Sequence, residues 1–162
     1  FIDGLAEEIT GGLTRFEDLR AASSYSARQF KEQAAASVCD LPIMCTMTVE
    51  ADGSIFSGGN AVEAAVSLEA AGADAVGINC SVGPDQLVSV VRNIKENVSI
   101  PVIAKPNAGM PVIDEKGNAV YSMNAEEFAH HMKVLIENGA SVVGGCCGTT
   151  PSFIKALHDT IR

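Results

Sequence analysis

Ala73-Asp74-Ala75-Val76-Gly77-Ile78-Asn79-Cys80-Ser81-Val82-Gly83-Pro84-Asp85 is the stretch on which the fold turns. Ala73 to Asn79 is short and almost wholly apolar, which reads as a strand covered on both faces. Gly83-Pro84-Asp85 then opens a helix that runs to about Asn97. Proline suits the first helical position, and an acid suits the positive end of a helix. A strand passing directly into a helix is one βα unit.

The same unit repeats on either side. Upstream, Leu41 to Thr48 reads as a strand, Asp52-Gly53 as a turn, and Gly58-Gly59-Asn60 as a loop and cap. Ala61 to Ala71 is a helix with Gly72 as its stop. Downstream, Ile100 to Lys105 is a third strand, and Asn107 to Tyr121 is a long loop turning at Asp114, Lys116, Gly117 and Asn118. Asn124 and Glu127 form a capping box for a helix that buries Phe128, Met132, Leu135 and Ile136 and stops at Gly139. Ala140 to Gly144 is the fourth strand, and Thr150-Pro151 caps a last helix. Units spaced about 30 residues apart imply parallel strands with right-handed crossovers. The fold class is α/β, and two architectures fit: an open doubly wound sheet or part of an eight-fold βα barrel.

Residues 1–40 differ. Arg15 to Val38 reads mainly as helix, so the division expected is a helical N-terminal segment, 1–40, and a βα region, 41–162.

The 162 residues carry a net charge of −9, which disfavours nucleic acid and anionic membranes as partners. No apolar run approaches the roughly 20 residues of a membrane helix, and no signal peptide is visible at the start. Five cysteines form no small disulfide framework, so reduced thiols in a cytoplasmic protein are expected. Cys39 and Cys45 read as core residues.

The other three cysteines carry the chemistry. Cys80 follows the second strand, and Cys146-Cys147 follow the fourth within Gly144-Gly145-Cys146-Cys147-Gly148-Thr149-Thr150-Pro151. In a parallel sheet those strand ends share one edge, where α/β proteins build their sites. Adjacent strand residues point to opposite faces, so both vicinal thiols can serve one ion only from a sharp turn, which Gly144, Gly145 and Gly148 permit. Three thiolates suit zinc and leave one position open. Zinc with three thiolates is a poor activator of water but favours ionisation of an incoming thiol. Two rival readings stand beside this one: three packed cysteines at a glycine-rich turn, or a redox disulfide, which vicinal cysteines form only with strain.

Asn79 and Asn107 flank the thiols and are candidates for contact with metal or substrate, against plain turn-forming roles. Glu7 and Glu8 are weaker candidates for binding an amino group. His130, His131 and His158 read as non-ligands.

Four motifs, Thr46-Met47-Thr48, Gly77 to Ser81, Lys105-Pro106-Asn107-Ala108-Gly109 and Gly144 to Pro151, resemble the homocysteine S-methyltransferase family over about residues 38–162. The resemblance implies the C-terminal half of a (β/α)8 TIM barrel, a fold of about 250 residues. It implies zinc held by Cys80, Cys146 and Cys147, homocysteine sulfur as the fourth ligand, and methionine as product. It also implies a methyl donor: methylcobalamin on another domain, betaine or S-methylmethionine. A half barrel exposes two sheet edges, so a homodimer or a complementing half-barrel is expected.

Overall fold

The computed structural model describes residues 41–55 and 58–162. The helical segment expected over 1–40, with Glu7, Glu8 and Cys39, lies outside the described residues.

Four strands form one parallel sheet: β1 (Met44–Met47), β2 (Ala75–Cys80), β3 (Val102–Pro106) and β6 (Ala140–Val143), in that spatial order. The helices between and after them are α1 (Ala61–Ala70), α2 (Val88–Asn97), α3 (Ala125–Glu137) and α4 (Pro151–Ile161). Spatial order follows chain order without reversal, and each helix packs on the next, α1 on α2, α2 on α3 and α3 on α4. A doubly wound sheet reverses its strand order at a switch point. The unreversed arc with one row of helices is the arrangement of consecutive βα-barrel units.

Alternation along the strands sorts the side chains. Val76 and Ile78 of β2 and Val102 and Ala104 of β3 face the helices and join the core. Leu87, Val91 and Ile94 from the α2 region meet them, with Phe128, Met132 and Leu135 from α3 and Leu157 from α4. Phe128 and Phe153 pack edge to face at 5.5 Å, joining α3 to α4. Each large side chain buried in this layer contributes about 1.5–3 kcal/mol.

The helix starts follow the sequence logic at two places. The Asn60 Oδ1 accepts from the backbone N–H of Val62 and Glu63, both at 3.0 Å, and begins α1. Asn124 and Glu127 complete their reciprocal capping box on α3. At α4 Pro151 takes the first turn, but the Thr150 hydroxyl meets Ser152 Oγ at 2.8 Å instead of a backbone N–H.

Three expectations are corrected. The helix expected from Gly83 is a 3-10 turn, Pro84–Gln86, followed by α2 after Leu87. The first strand is shorter than Leu41 to Thr48, because the chain pairs with β2 only over Met44 to Met47. The long loop contains an antiparallel hairpin, β4 (Pro111–Ile113) and β5 (Ala119–Tyr121). Its turn is tied by Asp114, whose Oδ1 accepts from Lys116 and Asn118 N–H. Val112, Ile113 and Val120 are exposed on this hairpin, so no buried face imposes an alternating pattern there. Cys45 packs against the core but is only half-buried, since β1 is the outermost described strand on its side. Among the described residues no helix is long and apolar enough to cross a membrane.

Candidate metal centre

The parallel register brings the C-terminal ends of β2, β3 and β6 to one rim. Cys80 closes β2 opposite Pro106 of β3. Asn107 follows β3 directly, and Cys146 and Cys147 follow β6. Cys80 Sγ lies 2.6 Å from Cys146 Sγ, and Cys146 Sγ lies 3.9 Å from Cys147 Sγ. All three sulfurs fall within 4.8 Å of one another, and all three residues are half-buried. Thiolates around a tetrahedral zinc, each at about 2.3 Å, stand about 3.8 Å apart. Cys146 and Cys147 stand at that spacing, Cys80 and Cys146 stand closer, and the set offers three donors of the softness zinc favours.

The two loops reach this point differently. Cys80 (φ 57°) and Ser81 (φ 72°) both adopt left-handed backbone, the only non-glycine residues described that do so. That conformation costs a side-chain-bearing residue about 1–2 kcal/mol, so something must hold it. The Ser81 hydroxyl donates to Val49 O. Asn107 Nδ2 donates to Ser81 O at 2.7 Å, while Asn107 Oδ1 accepts from Cys147 N–H at 3.1 Å.

After β6 the turn rests on glycine. Gly148 has φ 79°, and a Cβ there would stand 2.3 Å from the Tyr121 ring. A Cβ on Gly145 would stand 2.4 Å from the Thr149 side chain. Backbone bonds moor this turn to the end of β3: Cys146 N–H donates to Pro106 O and Ala108 N–H donates to Cys147 O, both at 2.9 Å. Thr149 closes it, its hydroxyl donating to Cys146 O at 2.7 Å. The strand has ended at Val143 before either thiol, which lets both face the same space.

The thiols share protons. A hydrogen bond from Cys80 stabilises the Cys146 thiolate and brings its pKa down to about 6, against the opposing effect of burial. Cys80 is correspondingly raised, first by that bond to Cys146 and then by burial. The first proton to leave the cluster is therefore shared, a property of the set and not of one residue. Tyr121 on β5 is raised, by burial first and then by the neighbouring Cys147 thiol. Burial alone raises Cys45.

Of the residues singled out from sequence, Cys80, Cys146, Cys147 and Asn107 come together. Asn79 precedes Cys80 and stands opposite Lys105; its amide has no hydrogen-bond partner among the described residues. His130 and His131 meet ring to ring at 5.5 Å on α3, and His158 pairs with Asp159. Sequence reasoning missed Ser81, Thr149 and Tyr121. Tyr121 was recoverable: two short runs with β-branched residues around a Gly-containing turn are a hairpin signal.

Comparison with known proteins bears on this geometry. A sequence profile described as homocysteine S-methyltransferase matches residues 12–161, which begins well upstream of the four motifs. A methionine synthase from Mycobacterium leprae is 39% identical over 72% of this chain, and that from Mycobacterium tuberculosis is likewise 39% identical over 72%. Each match spans 10% of the methionine synthase. Homocysteine S-methyltransferase 3 from Zea mays is 32% identical over 67% of this chain, and 32% of the maize protein is spanned. Crystal structures of the homocysteine methyltransferase MmuM from Escherichia coli share the fold. The oxidized form superposes with a TM-score of 0.58 at 22% identity, over 76% of this chain and 38% of that one. The metallated form gives 0.57 at 21% identity, over 74% of this chain and 35% of that one.

Proposed function

Because this chain belongs to the homocysteine S-methyltransferase family, we propose that Cys80, Cys146 and Cys147 hold one zinc ion and that the substrate is homocysteine. The observation that carries this reading is the gathering of three sulfurs within 4.8 Å at one rim of a parallel sheet. Thiolates are soft donors, and three of them leave a catalytic zinc its open position. Zinc bound there would supply a site at which an incoming thiol loses its proton near neutral pH.

The remaining steps belong to the chain and the substrate. The Cys80–Cys146 pair, which shares the first proton lost, is the part of the cluster readiest to ligate. Among the described residues the Asn79 amide beside Cys80 has no hydrogen-bond partner, and Asn107 fixes the rim next to it; we assign Asn79 to the substrate by contact and Asn107 by shaping the rim that receives it. The substrate sulfur forms a bond to the donor's methyl carbon as the donor–methyl bond breaks, its electron pair leaving with the donor. Methionine is the product. No side-chain base is required, since the thiol proton leaves before attack. The donor is methylcobalamin, betaine or S-methylmethionine, the first of these carried on another domain.

The chain spans between a tenth and a third of the curated relatives named above. We therefore assign 41–162 as the homocysteine- and zinc-binding region and 1–40 as a leading segment, in a cytoplasmic enzyme whose remaining strands come from a complementing half-barrel or a second copy. A monodisperse monomer in light scattering counts against the second copy. The limited span also favours a second reading, a metal-binding piece inactive by itself. One experiment separates them: zinc content of reduced protein, followed by X-ray absorption with homocysteine. One zinc per chain gaining a sulfur neighbour supports the substrate assignment. Zinc that gains none supports the inactive piece, and reduced protein free of zinc defeats both.

A further inference from the structure

Building on that zinc reading, we propose that Asn107 is a positioning residue: its amide staples the Cys80 loop to the Cys146–Cys147 turn and sets the spacing of the three sulfurs in advance of any ion. Asn107 is the only buried polar residue among those described, 6% exposed. Both ends of its amide are spent on backbone, and each partner sits beside a thiol. Nδ2 donates to Ser81 O, one residue after Cys80, and Oδ1 accepts from the N–H of Cys147 itself. Apart from the thiols, no other described side chain bonds to both loops.

The chemistry of the position selects asparagine. The two partners are a carbonyl and an N–H, so one side chain must donate and accept at once. Aspartate only accepts when ionised, and alanine does neither. The reversed amide would set NH2 against N–H and oxygen against oxygen, so one orientation alone satisfies the site. The anchor is firm as well. On either side of Asn107, Pro106 O and Ala108 N–H bond to the Cys146–Cys147 turn, which fixes its backbone.

What the staple restrains is a loop with a reason to move. Cys80 and Ser81 hold left-handed backbone, and among the described residues Ser81 is gripped by its hydroxyl on Val49 O and by Asn107 on its carbonyl. Released from Asn107, the loop relaxes and carries Cys80 away from the pair.

Three readouts test this on the full chain. Zinc affinity is measured by competition with a chromophoric chelator, and Asn107→Ala is expected to weaken it about 10- to 100-fold. The sulfur-to-cobalt absorption of the Co(II)-loaded variant is expected to fall by about a third, as one of three thiolates is lost. Hydrogen exchange at the Cys147 amide of the metal-free chain needs no zinc: it is slow in the native chain and fast in Asn107→Ala. Asn107→Asp keeps the acceptor for Cys147 and loses the donor to Ser81, so it retains slow exchange while losing the cobalt absorption of one thiolate. It carries the test should the alanine variant fail to fold. Native affinity with full cobalt absorption in either variant overturns the proposal, as does fast Cys147 exchange in the native chain. If the native chain binds no zinc, the functional reading fails, and slow Cys147 exchange lost in Asn107→Ala still supports the staple.

Discussion

After β2 the chain turns on two residues with side chains, Cys80 and Ser81, forced into left-handed backbone. After β6 it turns on glycine, with Gly148 beneath the Tyr121 ring. The first loop delivers one sulfur and depends on outside braces from Val49 and Asn107. The second delivers two sulfurs and depends on the absence of side chains. A strained loop is precise only while its braces hold, whereas a glycine turn is precise only while its neighbours fill the space around it. The same cluster is therefore vulnerable to polar substitutions on one side and to added bulk on the other.

The largest expected effect tests whether the loops are equal partners. Cys147→Ser and Cys80→Ser should each weaken zinc binding by about three orders of magnitude or more, read by metal analysis after dialysis. Full zinc retention in Cys80→Ser would make the β2 loop an onlooker.

Next comes the proton that the loops share. Alkylation of the metal-free chain should show Cys146 reacting with a midpoint near pH 6, and Cys80→Ala should move that midpoint toward about 8.5. The sign for stability follows from the lowered pKa. The Cys146 thiolate adds stability that is complete above its unfolded pKa and is lost as pH falls through about 6. An unmoved midpoint would mean that the two loops do not communicate through Cys80.

Bulk in the glycine turn should cost less. Gly148→Ala meets both the positive φ and the Tyr121 ring, and should lower urea-unfolding stability by about 2–4 kcal/mol. The smallest effect is on the other side: Ser81→Gly relieves about 1 kcal/mol of backbone strain and forfeits a hydrogen bond of similar size. Unfolding stability should stay within about 1 kcal/mol of native, and a much larger loss would show that the Val49 contact outweighs the strain.

The legible part of this molecule is the part where many weak preferences agree. The central strands β2 and β3, buried on both faces over most of their length, Gly72 and Gly139 as stops, and Asn60 and Asn124 as caps each left a local mark, so the βα repeat was readable, although β1 and β6 are more exposed than their apolar sequences suggest. The thiols were readable because cysteine beside glycine at a strand end has few uses. The β4–β5 hairpin left a mark only in its turn and its β-branched runs, because its three-residue strands expose Val112, Ile113 and Val120 and so lack an inside and an outside. The brace was invisible for another reason. Asn107 bonding Ser81 and Cys147 is a coincidence of three loops in space, and no periodicity of one segment encodes it. Periodicity alone left the choice between open sheet and barrel arc open, since strand order is a long-range property, and it was the resemblance carried by the four motifs that pointed to the barrel.

That strand order has one more consequence. Among the described residues β1 and β6 each have a strand on one side only, and the two free flanks are not equivalent. Contact of one copy's first flank with another's last would be head-to-tail. If the curvature matches, two copies close into a ring of eight strands and growth stops. If it falls short, the same contact repeats without end and yields a ribbon. The angle stored in four twisted strands thus decides between a discrete particle and a fibre.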